Sequence, residues 1–64
     1  MISVVEYGKN IGTLKNIFWD LPQAVIFAKR IIAFSDNSYE CIGRYQWCCR
    51  AKQEYIKIEG DFCN

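Results

Sequence analysis

The chain opens with Ile2-Ser3-Val4-Val5-Glu6-Tyr7, a run rich in β-branched residues that stops at Gly8 and reads as a strand. Gly8-Lys9-Asn10-Ile11-Gly12 follows, and its glycines and asparagine tolerate the positive φ values that a tight turn demands. Thr13 to Trp19 then returns as the second strand of a hairpin, although Asn16 interrupts its apolar character.

Beyond Asp20 the spacing of apolar positions changes to that of a helix. Leu21, Ala24, Val25, Ala28, Ile31 and Ile32 recur at i, i+3, i+4 and i+7, which gathers them on one face. Asp20 is placed to cap this helix, and Gln23 at N3 completes a D-x-x-Q capping box. Pro22 falls in the first turn, where a missing N–H costs nothing because the first four donors have no helical partner. Ser35-Asp36-Asn37-Ser38 ends the helix, and Lys29 and Arg30 lie in its second half, where cations suit the macrodipole. Phe27 and Phe34 form a stripe at the edge of the main apolar face, and a sheet that wraps the helix is expected to cover both. Ile26 lies further round, near the polar side, and is a candidate contact for a partner.

From Tyr39 to Cys49 the pattern alternates. Tyr39, Cys41, Gly43, Tyr45, Trp47 and Cys49 form one parity set, and Glu40, Ile42, Arg44, Gln46, Cys48 and Arg50 the other. This predicts one long strand with a buried aromatic and thiol face, bulged or bent at Gly43. Arg50-Ala51-Lys52-Gln53 is the expected turn, Glu54 to Ile58 a closing strand, and residues 60–64 a frayed tail unless Phe62 docks. A helical reading of residues 45–56 competes, because Tyr45, Cys48, Cys49, Lys52 and Ile56 also fit helical spacing. With strands preferred, the fold class is α+β: a single small two-layer domain over residues 1–64, an antiparallel β-β-α-β-β sheet with one helix packed across a face.

At 64 residues the chain is short for a domain, yet ten aromatic side chains enlarge the core it can build. The net charge of +1 lacks the basic excess of a dedicated nucleic-acid or anionic-membrane binder. With no histidine, Ser-His and Cys-His nucleophile pairs and His-ligated zinc are excluded. The N-terminus shows no signal-peptide pattern, and the longest apolar-rich stretch, Leu21 to Phe34, is too short to cross a bilayer. These features point to a cytoplasmic protein, without membrane contact, whose four cysteines are reduced thiols.

Cys41, Cys48, Cys49 and Cys63 lack the paired spacing of a zinc knuckle, so no metal site is expected. In a continuous strand Cys41 and Cys49 would stand ~26 Å apart at ~3.3 Å per residue, out of disulfide reach. The seven acidic residues are scattered and no phosphate-binding glycine loop occurs, so neither catalytic residues nor a cofactor are expected. What remains is binding. Trp, Tyr and Arg dominate binding hot spots, and sheet edges in so small a domain are hard to hide. The candidate partner-binding residues are Arg44, Tyr45, Trp47 and Arg50 in the long strand, with Ile26, Lys29 and Arg30 on the outer helix face. The expected function is that of a protein-binding inhibitor or modulator, with a homodimer available to it. In size and composition the chain resembles phage and mobile-element accessory proteins that block host proteins. The alternative is an RNA or single-stranded DNA module that stacks bases on the aromatic Tyr39–Trp47 strand, although core packing of those aromatics is the preferred reading.

Overall fold

A computed structural model of the chain describes residues 1–35 and 38–60. Two strands, β1 (Ile2–Gly8) and β2 (Gly12–Phe18), form the N-terminal hairpin. The helix α1 (Leu21–Phe34) follows, and then β3 (Glu40–Gly43), β4 (Gln46–Cys49) and β5 (Glu54–Gly60). All neighbouring strands are antiparallel, in the spatial order β2-β1-β5-β4-β3, so the first and last strands pair at the centre. Helix α1 crosses one face of this sheet, which makes the two-layer α+β domain that the sequence pattern predicts.

Residues directly opposed across antiparallel strands share a face, so the register sorts every side chain. Under the helix lie the rows Phe18–Ile2–Gly60, Asn16–Val4–Ile58 and Leu14–Glu6–Ile56–Trp47–Cys41. On the uncovered face lie Ile17–Ser3–Glu59, Lys15–Val5–Lys57–Gln46 and Thr13–Tyr7–Tyr55–Cys48–Glu40. Ile2, Val4, Ile56 and Ile58 form the core with Ala24 and Ala28 of α1. The two alanines are fully buried, and their small side chains let the helix backbone approach the sheet. Leu21, Val25, Phe27, Ile31 and Ile32 supply the flanking bulk. Burial of Val4 and Ile56 contributes ~1.5–3 kcal/mol each.

Asp20 caps α1 as expected. Its Oδ1 accepts from the Gln23 backbone N–H at 3.0 Å, and Pro22 occupies the first turn. Lys29 and Arg30 lie before the last turn, where the dipole is weak, and add little to the cap. At the far end Ser35 is the C-cap, and Asp36 and Asn37 lie outside the described residues. Phe27 is half-buried, but Phe34 is 84% exposed, contrary to expectation. Both sit about 100–120° round the helix from Ala28 at ~100° per residue. The difference is that Phe27 meets Phe18 of β2, ring centroids 5.0 Å apart, whereas Phe34 is the last helical residue.

The segment from Tyr39 to Cys49 departs most from expectation. It is not one strand but a hairpin, folded back at Arg44-Tyr45 after a register shift between Cys41 and Gly43. Tyr45 adopts φ 62°, a left-handed conformation that costs an ordinary residue ~1–2 kcal/mol. Its half-buried ring packs on the core and its carbonyl accepts from the Ile58 N–H at 2.9 Å, which offsets that cost. Cys41 and Cys49 therefore stand on neighbouring strands rather than far apart along one, and Cys41, Cys48 and Cys49 are all free thiols. The β4–β5 turn ends on Gln53 at φ 54°, whose carbonyl accepts from the Lys9 N–H at 3.4 Å. Gly8 makes room for that loop, since a Cβ there would lie 2.9 Å from the Gln53 carbonyl oxygen. The tail beyond Gly60, including Phe62 and Cys63, lies outside the described residues.

Two substitutions test this account by urea denaturation. Asp20→Ala, which removes the cap, is expected to cost about 1 kcal/mol. Gly60→Ala is expected to cost more than ~1 kcal/mol, because the glycine holds φ 144° and an added Cβ would collide with the Met1 carbonyl.

Candidate partner-binding surface

Strand β2 forms one edge of the sheet, and its outer side is where apolar groups gather at the surface. Leu14 is 52% exposed and Ile17 58%, while Trp19, just past the strand, is 84% exposed. Because β2 is an edge, Leu14 has only β1 beside it on the helix face and Ile17 only β1 on the uncovered face. The neighbouring flank of α1 adds Ile26, 59% exposed. Between the two runs a shallow groove of about 260 Å³, lined by Phe18, Gln23, Ile26, Phe27 and Arg30. Its floor is the tilted Phe18–Phe27 pair and Arg30 supplies its cation.

Of the residues singled out from sequence, Ile26 and Arg30 meet at this groove, and Lys29 is exposed beside them on α1. The other four lie on the β3–β4 hairpin and the turn after it. Tyr45 and Trp47 are half-buried and pack against the core, while Arg44 is exposed in the hairpin turn. Arg50 is exposed and its Nε lies 3.6 Å from Glu40 Oε2, an ion pair in full solvent that is worth little. Leu14, Ile17, Phe18 and Trp19 were missed. A signal for them was present: apolar residues fall at both parities of one segment, which a strand buried on one face cannot hide.

A second constellation occupies the uncovered face. Tyr7 and Tyr55 oppose one another on the central strands with ring centroids 5.1 Å apart and planes 15° from parallel. Lys57 Nζ sits 5.6 Å from the Tyr7 centroid and pairs with Glu59 Oε2 at 3.4 Å. A shallow cleft of about 440 Å³ opens beside them, with Lys9, Thr13 and Gln53 in its lining. Val5, flanked by Lys15 and Lys57 in the register, is nonetheless buried on this face.

On the helix side, Tyr39 donates to Glu54 Oε1 at 3.2 Å. Burial and the Glu54 charge hold the phenol protonated, and its pKa is pushed up to about 12. Burial, and then the charge of Glu54, also raises the Glu6 carboxyl. Cys49, fully buried, has its Sγ 3.4 Å from the Ser38 hydroxyl, and this hydrogen bond pulls the thiol pKa down. The group joins acids, a phenol and a thiol, but among the described residues no cluster of three or more His, Cys, Asp or Glu side chains is arranged to hold a metal ion. No helix among the described residues is long and apolar enough to cross a membrane.

The raised Glu6 value predicts a pH effect. The folded chain binds this proton more tightly than the unfolded chain, so the stability Glu6 allows falls as pH rises from the ordinary carboxylate value of 4.5 to its raised folded value. Thermal unfolding of Glu6→Gln is expected to show a higher Tm than the parent at pH 7. The difference should shrink towards zero below the ordinary value, where Glu6 is protonated in both states. The sequence matches no protein-family model, and comparison with curated proteins and with solved structures finds no similar chain.

Proposed function

We propose that the chain is a small non-enzymatic protein-binding factor, an inhibitor or modulator of another protein in the manner of phage and mobile-element accessory proteins, working in a reducing cytoplasm. The observation that carries this reading is the exposure of apolar groups on both faces of the β2 edge, Leu14 on the helix side and Ile17 on the other, with Trp19 past its end and Ile26 on the adjoining flank of α1. Scattered apolar residues on a surface need no explanation, but a run of them beside an edge strand and a groove marks an interaction site. An edge strand offers main-chain hydrogen bonds for affinity, and alternate side chains give specificity. Trp19 and Arg30 are of the types that dominate binding energy. In this reading Ile26, Lys29 and Arg30 belong to the contact surface, while Arg44 and Arg50 are exposed at opposite ends of β4, on the far side of the sheet order.

A second reading, binding of single-stranded RNA or DNA, is favoured by one observation: the stacked Tyr7–Tyr55 pair with Lys57 on the uncovered face. Its platform would then be these tyrosines rather than Tyr45 and Trp47, which pack against the core.

Capture from a nuclease-treated lysate with the tagged protein separates the two. The expected result is a stoichiometric protein that survives nuclease and whose capture falls at least ~10-fold with Ile17→Lys, a hot-spot-sized loss at a surface position that leaves folding intact. Capture abolished by nuclease, and falling by orders of magnitude between about 50 and 200 mM salt, would instead establish the nucleic-acid reading.

A further inference from the structure

We propose that the β2 edge docks a second copy of this chain, forming a symmetric antiparallel dimer with Asn16 on the two-fold axis. The proposal rests on the reading of β2 as a protein-contact surface, and the register follows from parity and charge. A two-fold axis perpendicular to the sheet keeps each side chain on its own face. Opposed residues must share a face, so they have the same parity, and the axis must pass through a residue rather than between two.

Four positions are central enough to serve. An axis at Lys15 would oppose two ammonium groups and set Asn16 against the partner's Leu14. An axis at Leu14 would carry Phe18 past the end of the partner strand, leaving it unpaired. An axis at Ile17 would place Leu14 opposite the partner's Asp20, whose carboxylate is already committed to the helix cap. The axis at Asn16 opposes no like charges and keeps Leu14 and Phe18 paired; only Gly12 and Thr13, at the start of β2, run past the end of the partner strand. On the helix face Leu14 meets the partner's Phe18, and the two Asn16 amides meet each other, where each can donate and accept. On the uncovered face Lys15 lies along the partner's Ile17 without facing a like charge, and Trp19 covers the partner's Thr13.

Packing above the sheet agrees. Helix α1 rides over β1, with β2 and β5 to either side. With strands ~4.8 Å apart, the two β1 strands, and hence the two helices, would stand ~14 Å apart, wider than the ~8–10 Å of direct helix packing. Leu14 and Phe18 of both copies fill that gap, and the groove beside Phe27 becomes interior. A net charge of +1 per chain opposes the association only weakly.

Sedimentation equilibrium of the parent protein, from about 10 to 500 μM so as to bracket a micromolar Kd, gives the first readout. The expected mass is twice the 7.5 kDa of the chain. Disulfide trapping gives the second. Opposed residues in an antiparallel pair lie ~4.5–5.5 Å apart at Cα, within the span of a disulfide, whereas diagonal ones lie beyond ~7 Å. Asn16→Cys should therefore crosslink under mild oxidation well above the background set by the native cysteines in the parent protein, and Lys15→Cys should not. A dimer trapped by Lys15→Cys in preference to Asn16→Cys would overturn the register. A monomer across the whole range would overturn the dimer. In that case capture of another protein that is lost with Ile17→Lys leaves the protein-binding reading standing, and capture indifferent to Ile17→Lys removes that reading too.

Discussion

The pairing of β1 with β5 along their full length, Ile2 opposite Gly60 through Gly8 opposite Glu54, puts the first and last strands side by side inside the sheet. The core is built on that pairing: Ile2 and Val4 come from one strand, Ile56 and Ile58 from the other, and α1 closes over them with two alanines. Each remaining strand is then added outward, β2 on one side and the β4–β3 hairpin on the other. Glycine is required where the two terminal strands meet, since Gly60 lies against the Met1 carbonyl, and at Gly8, where the Gln53 loop closes over the end of β1. The ion pairs, Arg50–Glu40 and Lys57–Glu59, sit in solvent and contribute little beside this apolar centre.

Parts of this arrangement can be read in the sequence because they obey local rules. The N-terminal hairpin, the Asp20 cap, the apolar face of α1 and the closing strand all follow from spacing and turn chemistry over a few residues. The β3–β4 hairpin does not. Its turn places Tyr45 in a left-handed conformation, where glycine or asparagine would have announced a turn. What holds it there is tertiary: the ring on the core and the carbonyl on Ile58. Gln53 is also left-handed at the next turn, but that turn, Arg50 to Gln53, is legible in the sequence and only its strained residue is not. Local sequence cannot report a strain that distant packing compensates.

Legibility of the candidate surface divides the same way. Ile26 stands about 160° round the helix from Ala28, so its exposure follows from helical geometry alone. The exposure of Leu14 and Ile17 depends instead on strand order. Had β3 followed β2 in space, both would have gained a neighbour; the insertion of β5 beside β1 leaves β2 at the margin. Tyr45 and Trp47 pack in the helix-side layer, as their shared parity suggests, whereas the half-buried stacked pair on the uncovered face, Tyr7 and Tyr55, comes from residues distant in sequence. Their meeting is again a product of the β1–β5 register.

That register also governs how quickly the molecule can form. Residues 2–8 must find residues 54–60 before the core shared by β1 and β5 is complete, and closing so long a loop slows folding. The N-terminal hairpin and α1 are local and can flicker into place within microseconds, but Ile56 and Ile58, half of the sheet's contribution to the core, arrive only with β5. Completion of the core thus waits on the last strand. Until then the apolar faces of β1 and α1 stand open to whatever else is nearby, and this is the interval in which the chain is most prone to aggregate.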